Sequence, residues 1–183
     1  GDVGFGKTEV AMRACYRAVL DGKQVAWLVP TTVLAHQHFR SLKERFENFA
    51  VNIVLFDRSV GSSAKILDSM KKGEIDIIIG THRLLSKEMA FRDLGLLVVD
   101  EEQRFGVLQK EKIKNMSYGV DVLTLTATPI PRTLQLSLVG LKDLSLLTTP
   151  PKSRLATKTF VCPFEESIII ESIQFELNRI AHP

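Results

Sequence analysis

Five short apolar runs, residues 25–29, 51–56, 75–79, 94–99 and 122–125, recur along the chain with helix-length segments between them. Apart from Asn52, Asp76 and Gly95, every residue of the runs is apolar or β-branched, without the polar alternation of a sheet that has one wet face. Strands covered on both faces read this way. The segments between them carry helical spacing instead. Ala35, Phe39, Leu42 and Phe46 recur at i, i+4, i+7 and i+11 and make one apolar face. Strand–helix alternation of this kind predicts an α/β fold, with a mainly parallel β-sheet flanked by helices.

Ahead of the first run stands Gly1-Asp2-Val3-Gly4-Phe5-Gly6-Lys7-Thr8, which matches G-x-x-x-x-G-K-[ST] at every fixed position. Glycines let backbone N–H groups turn inward around phosphate oxygens, and the helix that follows points its positive dipole end at the same place. The loop Gly1, Asp2, Val3, Gly4, Phe5, Gly6, Lys7 and Thr8 is therefore the expected ATP-binding segment. Lys7 is expected to reach the β- and γ-phosphates and the Thr8 hydroxyl to bind Mg²⁺. Residues 9–20 read as a helix with Ala11, Ala14, Cys15 and Ala18 on one side. Such a loop joins a strand to a helix. Here it starts at residue 1, so the sequence reads as a piece of a longer chain.

The run 94–99 ends in Asp100-Glu101. Ligands of open α/β sheets bind at the carboxyl ends of strands. Asp100 is expected at the Mg²⁺, directly or through water, and Glu101 is expected to orient or deprotonate an attacking water. Two solvated acids at a helix start are the competing structural role; the phosphate loop upstream, in the right order, argues against it.

After residue 147, Thr148-Thr149-Pro150-Pro151-Lys152-Ser153 breaks the alternation and favours an extended linker. Beyond it come a strand-like stretch, 156–161, and one amphipathic helix. Ile169, Ile173, Leu177 and Ile180 form its stripe, with Glu165 and Glu166 in its first turn. One strand and one helix cannot make a core. Residues 1–150 are thus expected to be one lobe, and 151–183 the linker and opening of a second. No apolar run approaches the roughly 20 residues needed to span a bilayer, and no signal-peptide pattern opens the sequence. Two cysteines, Cys15 and Cys162, are too few for a disulfide framework or a metal site; a reducing, cytoplasmic compartment is the expectation. Net charge is +3, which permits a polyanionic partner without arguing for one.

Four further segments stand in the order of helicase superfamily-two motifs. They are Pro30-Thr31-Thr32-Val33-Leu34-Ala35, Gly80-Thr81-His82-Arg83-Leu84-Leu85, Asp100-Glu101-Glu102-Gln103-Arg104-Phe105-Gly106-Val107 and Thr126-Ala127-Thr128-Pro129-Ile130-Pro131-Arg132-Thr133. As a set they closely resemble the Mfd family of bacterial transcription-repair coupling factors, over almost the whole chain. The RecG family of branched-DNA translocases is the nearest alternative. It shares the Thr-Ala-Thr-Pro-Ile-Pro-Arg-Thr string but usually has Asp-Glu-Gln-His where this chain has Asp100-Glu101-Glu102-Gln103. One departure from the Mfd pattern is Leu55-Phe56-Asp57-Arg58-Ser59, where the family commonly carries a Ser-Arg-Phe-type segment.

The resemblance implies a RecA-like P-loop NTPase lobe. It implies ATP hydrolysis, with Mg²⁺ and with Lys7 and Glu101 as catalytic groups, coupled to movement along double-stranded DNA in transcription-coupled repair. It implies RNA polymerase and excision-repair proteins as partners, through regions outside this chain, and no membrane. Thr31, Thr32, Thr81, His82 and Arg83 become expected DNA contacts, through hydroxyls and charges that hold phosphates without reading bases. Thr31 or Thr32 can equally be a helix N-cap, His82 a structural loop histidine, and Arg83 and Arg132 solvated surface charges. Thr126, Thr128 and Arg132 are expected to couple hydrolysis to motion between lobes. Phe39, Phe46, Phe49 and Trp27 fall at core positions, so base stacking on exposed aromatics is not expected, which favours a duplex-backbone tracker. A P-loop kinase would need an acceptor site and a lid, and neither is visible. Intact Lys7, Thr8, Asp100 and Glu101 argue against a lobe that binds DNA or a partner without turnover. Superfamily-two motors are expected to complete the site with an arginine from a second lobe, so these 183 residues alone are expected to be inactive or very weak.

Overall fold

The computed structural model describes residues 1–57, 63–127, 143–151, 159 and 161–181. Arg58, Ser59, Thr128, Arg132 and most of the expected strand 156–161 lie outside the described residues. The chain falls into two compact units, Gly1–Lys152 and Ser153–Pro183.

In the first unit, helices and strands alternate: α1 (Lys7–Leu20), β1 (Gln24–Leu28), α2 (Thr32–Arg45), β2 (Ile53–Phe56), α3 (Ser63–Lys72), β3 (Ile77–Gly80), β4 (Leu94–Asp100), α4 (Val107–Met116) and β5 (Asp121–Leu125). Single 3₁₀ turns, His82–Leu85 and Glu102–Arg104, follow β3 and β4. The described strands form one sheet in the order β2-β3-β1-β4-β5, and every pairing is parallel. All five apolar runs become strands. Two start later than their hydrophobicity suggests. Val51 N–H bonds to the Phe49 carbonyl in a turn, and Ile75 packs from a loop whose carbonyl accepts from the Gln24 side chain. Both residues bury apolar surface without joining the ladder.

The unbroken apolar character of the strands has a direct structural reason. Val25, Trp27, Ile77, Ile79, Leu96 and Val98 face Ala11, Met12, Cys15, Ala35, Leu42 and Phe46, contributed by α1, α2 and the residue that ends α2. Ala26, Leu28, Ile78, Leu97 and Val99 face the other way, toward Met70 of α3, Ile113 of α4 and Leu84 and Leu85 of the first 3₁₀ turn. Alternate residues of one strand thus enter two cores. Burying each such leucine- or isoleucine-sized side chain contributes about 1.5–3 kcal/mol. Cys15 lies in the first core, where burial pushes its thiol up to about 12. Phe49 departs from expectation: it is 42% exposed, and it meets Tyr16 and Phe46 edge-on at 5.0 and 5.9 Å rather than entering the core.

Polarity is also buried where sequence gave no warning. Gln24 opens β1 at 4% exposure. Its Nε2 donates to the Met70 and Ile75 carbonyls at 3.0 and 2.9 Å. Its Oε1 accepts from the Arg92 and Asp93 N–H groups at 2.8 and 3.1 Å. The amide thereby uses both donors and both acceptor sites.

The second unit contains the helix α5 (Glu166–Ala181). Ile169, Ile173 and Leu177 of its expected stripe are exposed, as are Ile170 and Phe175; the side chain of Ile180 lies outside the described set. Among the described residues no helix is long and apolar enough to cross a membrane.

Candidate functional site

Because the sheet is parallel, β1, β3, β4 and β5 deliver their following residues to one edge. Those residues are Thr31, Thr81, Asp100-Glu101 and Thr126. In register, Leu28 lies beside Gly80 and Val99, and Asp100 beside Leu125. β1 has β3 on one side and β4 on the other, so the chain turns both ways from the centre, the place where open α/β sheets form a binding crevice.

The glycine-rich loop reaches the same edge through α1. A three-residue turn, with Gly22 at φ 73°, joins α1 to β1. The helix packs on β1 and β4 and runs back along them. Its 14 residues span about 21 Å at 1.5 Å each, more than the roughly 17 Å of a five-residue strand, so its N-terminus lies at the carboxyl edge. Gly4 and Gly6 have φ of 76° and 82°, conformations that a side chain strains. Gly6 is the N-cap of α1 and supplies no side-chain acceptor. The first N–H groups of the helix are therefore left to an anion, the arrangement by which helix ends hold phosphate. Lys7 Nζ donates to the Gly1 and Asp2 carbonyls at 2.8 and 2.9 Å, which holds its charge over the loop. A Cβ at Gly1 would lie 2.6 Å from that of Leu147, so this end of the loop admits no larger residue without movement.

Asp100 is 8% exposed. Its Oδ2 is 2.9 Å from Nε2 of His38, a buried residue of α2 that sequence reasoning did not single out. The carboxylate only accepts, so Nε2 carries the hydrogen. Trp27 lies against the imidazole, with ring centroids 5.1 Å apart and planes 31° from parallel. A signal was present: position 38 shares the buried stripe of Ala35 and Leu42, at i+3 and i+7 from Ala35. A histidine on such a stripe needs a partner.

Glu101 adopts left-handed backbone, φ 51° and ψ 49°, alone among the described non-glycine residues in having positive φ. Such a conformation costs about 1–3 kcal/mol and persists where neighbours enforce it. Its N–H bonds to the Leu125 carbonyl at 3.0 Å, and its carboxylate accepts from Gln103 Nε2. Gln103 Oε1 in turn accepts from the Thr126 hydroxyl at 3.3 Å. One hydrogen-bonded path therefore joins Thr126, after β5, to Glu101, after β4.

The expected DNA contacts separate into two kinds. Thr31 and Thr32 are exposed at the start of α2, and Thr31 Oγ1 caps that helix by accepting from the Leu34 N–H at 3.3 Å. His82 is exposed. Thr81, by contrast, is buried at 5% exposure. Arg83 donates to the Asp57 carbonyl, and its Cζ lies 4.6 Å from the centroid of Phe56. Next to it, His36 Nε2 meets the buried Asp57 carboxylate at 2.6 Å.

Among the described residues no group of three or more His, Cys, Asp or Glu side chains gathers to hold a metal ion. Mg²⁺ commonly takes only one or two protein oxygens, together with phosphate oxygens and water. Thr8 and Asp100 fit this donor set.

The family model for DEAD/DEAH box helicases matches residues 1–137. The chain is 54% identical over 181 residues to a transcription-repair-coupling factor of Bacillus subtilis (strain 168), covering 98% of this chain and 15% of that protein. Its similarity to the protein of the same name from Staphylococcus aureus (strain USA300) is also 54% over 181 residues, covering 98% and 16%. The chain thus spans about one-sixth of the length of these relatives. A solved structure of RecG bound to a three-way DNA junction superimposes with a TM-score of 0.72 at 36% identity, covering 96% of this chain and 23% of that one. The helicase domain of Pyrococcus furiosus Hef shares the fold, with a TM-score of 0.50 at 11% identity over 74% of this chain.

Proposed function

The chain belongs to the DEAD/DEAH box helicase family, and from that premise we propose that it is the ATP-binding lobe of a double-stranded DNA translocase acting in transcription-coupled repair. The observation that carries the reading is the convergence on one sheet edge of an uncapped glycine-loop helix and the Asp100-Glu101 pair. Loop N–H groups and Lys7 bind the phosphates, with the ammonium exchanging its loop carbonyls for phosphate oxygens. Thr8, and Asp100 directly or through water, hold Mg²⁺, which supplies charge neutralisation on the phosphates. Glu101 takes the proton of the water that attacks the γ-phosphorus, and ADP leaves.

Thr31, Thr32 and His82 are exposed at the same edge and suit contacts to duplex phosphates. Arg83 serves better as the strut between Asp57 and Phe56, and Thr81 as a buried support, with any DNA contact from them secondary. Thr126 acts through Gln103 on Glu101, and with Thr128 and Arg132 it carries the coupling role. Residues 1–150 form this lobe and 151–183 open a second, which supplies the remaining positive charge on the γ-phosphate. RNA polymerase and excision-repair proteins are the partners that suit the relatives' name, through regions outside these residues, and the cytoplasm is the compartment where such work occurs.

The 36% identity to RecG over 96% of the chain favours a second reading, a branched-DNA helicase. ATP turnover by the protein that carries this chain, measured with linear duplex and with a three-way junction, separates the two. A translocase on duplex is stimulated by linear DNA of any sequence, and its affinity falls steeply with salt. Stimulation by the junction alone would select the RecG-like reading, and strong preference for one duplex sequence at fixed salt would overturn both.

A further inference from the structure

We propose that His38 is a positioning residue for Asp100, fixing the carboxylate in the orientation that serves Mg²⁺. The proposal rests on reading Asp100 as the metal-binding acid and extends it to a residue on a different element. Three observations carry it. His38 Nε2 lies 2.9 Å from Asp100 Oδ2, at side-chain exposures of 7% and 11%. Trp27, fully buried, lies against the ring and limits its rotation. Trp27 Nε1 has no hydrogen-bond partner among the described residues, so its part here is ring contact rather than polar bonding. A donor fixed on one carboxylate oxygen sets the rotamer and leaves the other oxygen for the metal or its water. Partners of this kind, removed from metal sites, typically change metal affinity 10–100-fold.

The position of His38 adds a direction to the argument. It lies on α2, two turns from the exposed Thr31-Thr32 end where duplex phosphates are proposed to bind. A displacement of α2 would therefore act on Asp100 through one hydrogen bond. Gln24 and Gln103 show the same fold fixing other polar groups with side-chain amides.

The test compares His38→Gln with His38→Asn in the protein that carries this chain, beside His38→Leu. A glutamine amide extends about as far as Nε2, whereas an asparagine amide falls short of Asp100. The readout is equilibrium binding of a fluorescent ATP analogue as a function of Mg²⁺, with binding in EDTA as the metal-free reference. His38→Asn and His38→Leu are expected to raise the Mg²⁺ concentration for half-saturation about tenfold or more. His38→Gln is expected to stay within about threefold of the parent, and metal-free binding is expected to change less than twofold in all three. Equal Mg²⁺ half-points for the Gln and Asn variants would overturn the proposal, even if the Leu variant does not fold. Equal losses with and without Mg²⁺ would also overturn it, because they would mark His38 as merely structural. Asp100→Asn run alongside separates the layers: if it leaves the Mg²⁺ half-point unchanged, the reading of Asp100 itself fails.

Discussion

The two edges of the sheet treat polar groups differently. At the amino edge, Gln24 is buried with both donors and both acceptor sites occupied by backbone groups of three other segments. At the carboxyl edge, polar groups are anchored but not exhausted. Lys7 spends two of its three ammonium protons on loop carbonyls. Asp100 receives His38, and Glu101 receives Gln103, on carboxylates with further acceptor sites. A group that serves only the fold is saturated from inside. A group proposed to serve a ligand is held in place with capacity left over.

Gln24→Leu attacks the saturated edge and carries the largest expected effect. It orphans the Ile75 carbonyl and the Arg92 and Asp93 N–H groups at once, while the Met70 carbonyl keeps the Gly73 N–H, and each orphaned group costs about 1–3 kcal/mol when buried. Some will relax toward water, so a loss of about 3 kcal/mol is expected in denaturant unfolding, with Mg²⁺–ATP affinity of the folded protein changed less than twofold. A stability loss below about 0.5 kcal/mol would erase the distinction between the edges.

Lys7→Ala attacks the other edge and should invert that pattern. ATP affinity is expected to fall about 10–100-fold, the worth of one or two charge-assisted hydrogen bonds at about 1.4 kcal/mol per tenfold. Stability should move by less than about 0.5 kcal/mol. Unchanged nucleotide affinity by titration would remove Lys7 from the site.

The smallest effect is electrostatic. Hydrogen bonds from Arg45 and then Arg13 hold the Glu9 carboxyl below its ordinary range. A lowered folded value means that the stabilisation is present above the unfolded carboxyl value and lost as pH falls through the folded one. Glu9→Gln should therefore lower stability slightly at neutral pH and flatten the acid limb of the stability curve. The pair is exposed, so 1 M salt should shrink the difference further. A variant whose acid limb matches the parent in low salt would show that the pair contributes nothing.

These contrasts mark what the sequence made legible. The five strands could be read because covering both faces demands unbroken apolar runs, and the glycine loop because its spacing is local. Asp100-Glu101 could be read because a strand ends there. His38 and Gln24 could not be read in the same way, since their partners lie 62 and 46 to 69 residues away and depend on strand order. Neither is assigned a buried position by the sequence, because each is a polar residue not counted in the apolar stripe or the apolar run that mark the core. Phe49 departs from its expected core position for a related reason: an aromatic just past the end of a helix can cover a core edge without entering it. Arg83 carries a charge that sequence reads as available, and only the fold brings Asp57 and Phe56 to it.

Glu101, held in left-handed backbone beside Asp100, is proposed to activate the water that attacks ATP. Glu101→Gln tests it most directly, with ATP binding and duplex-stimulated turnover measured on the same preparation of the protein that carries this chain. Binding is expected to stay within a few-fold of the parent, while turnover falls on the order of 100-fold or more. Turnover at the parent rate with binding intact would remove Glu101 from the reaction.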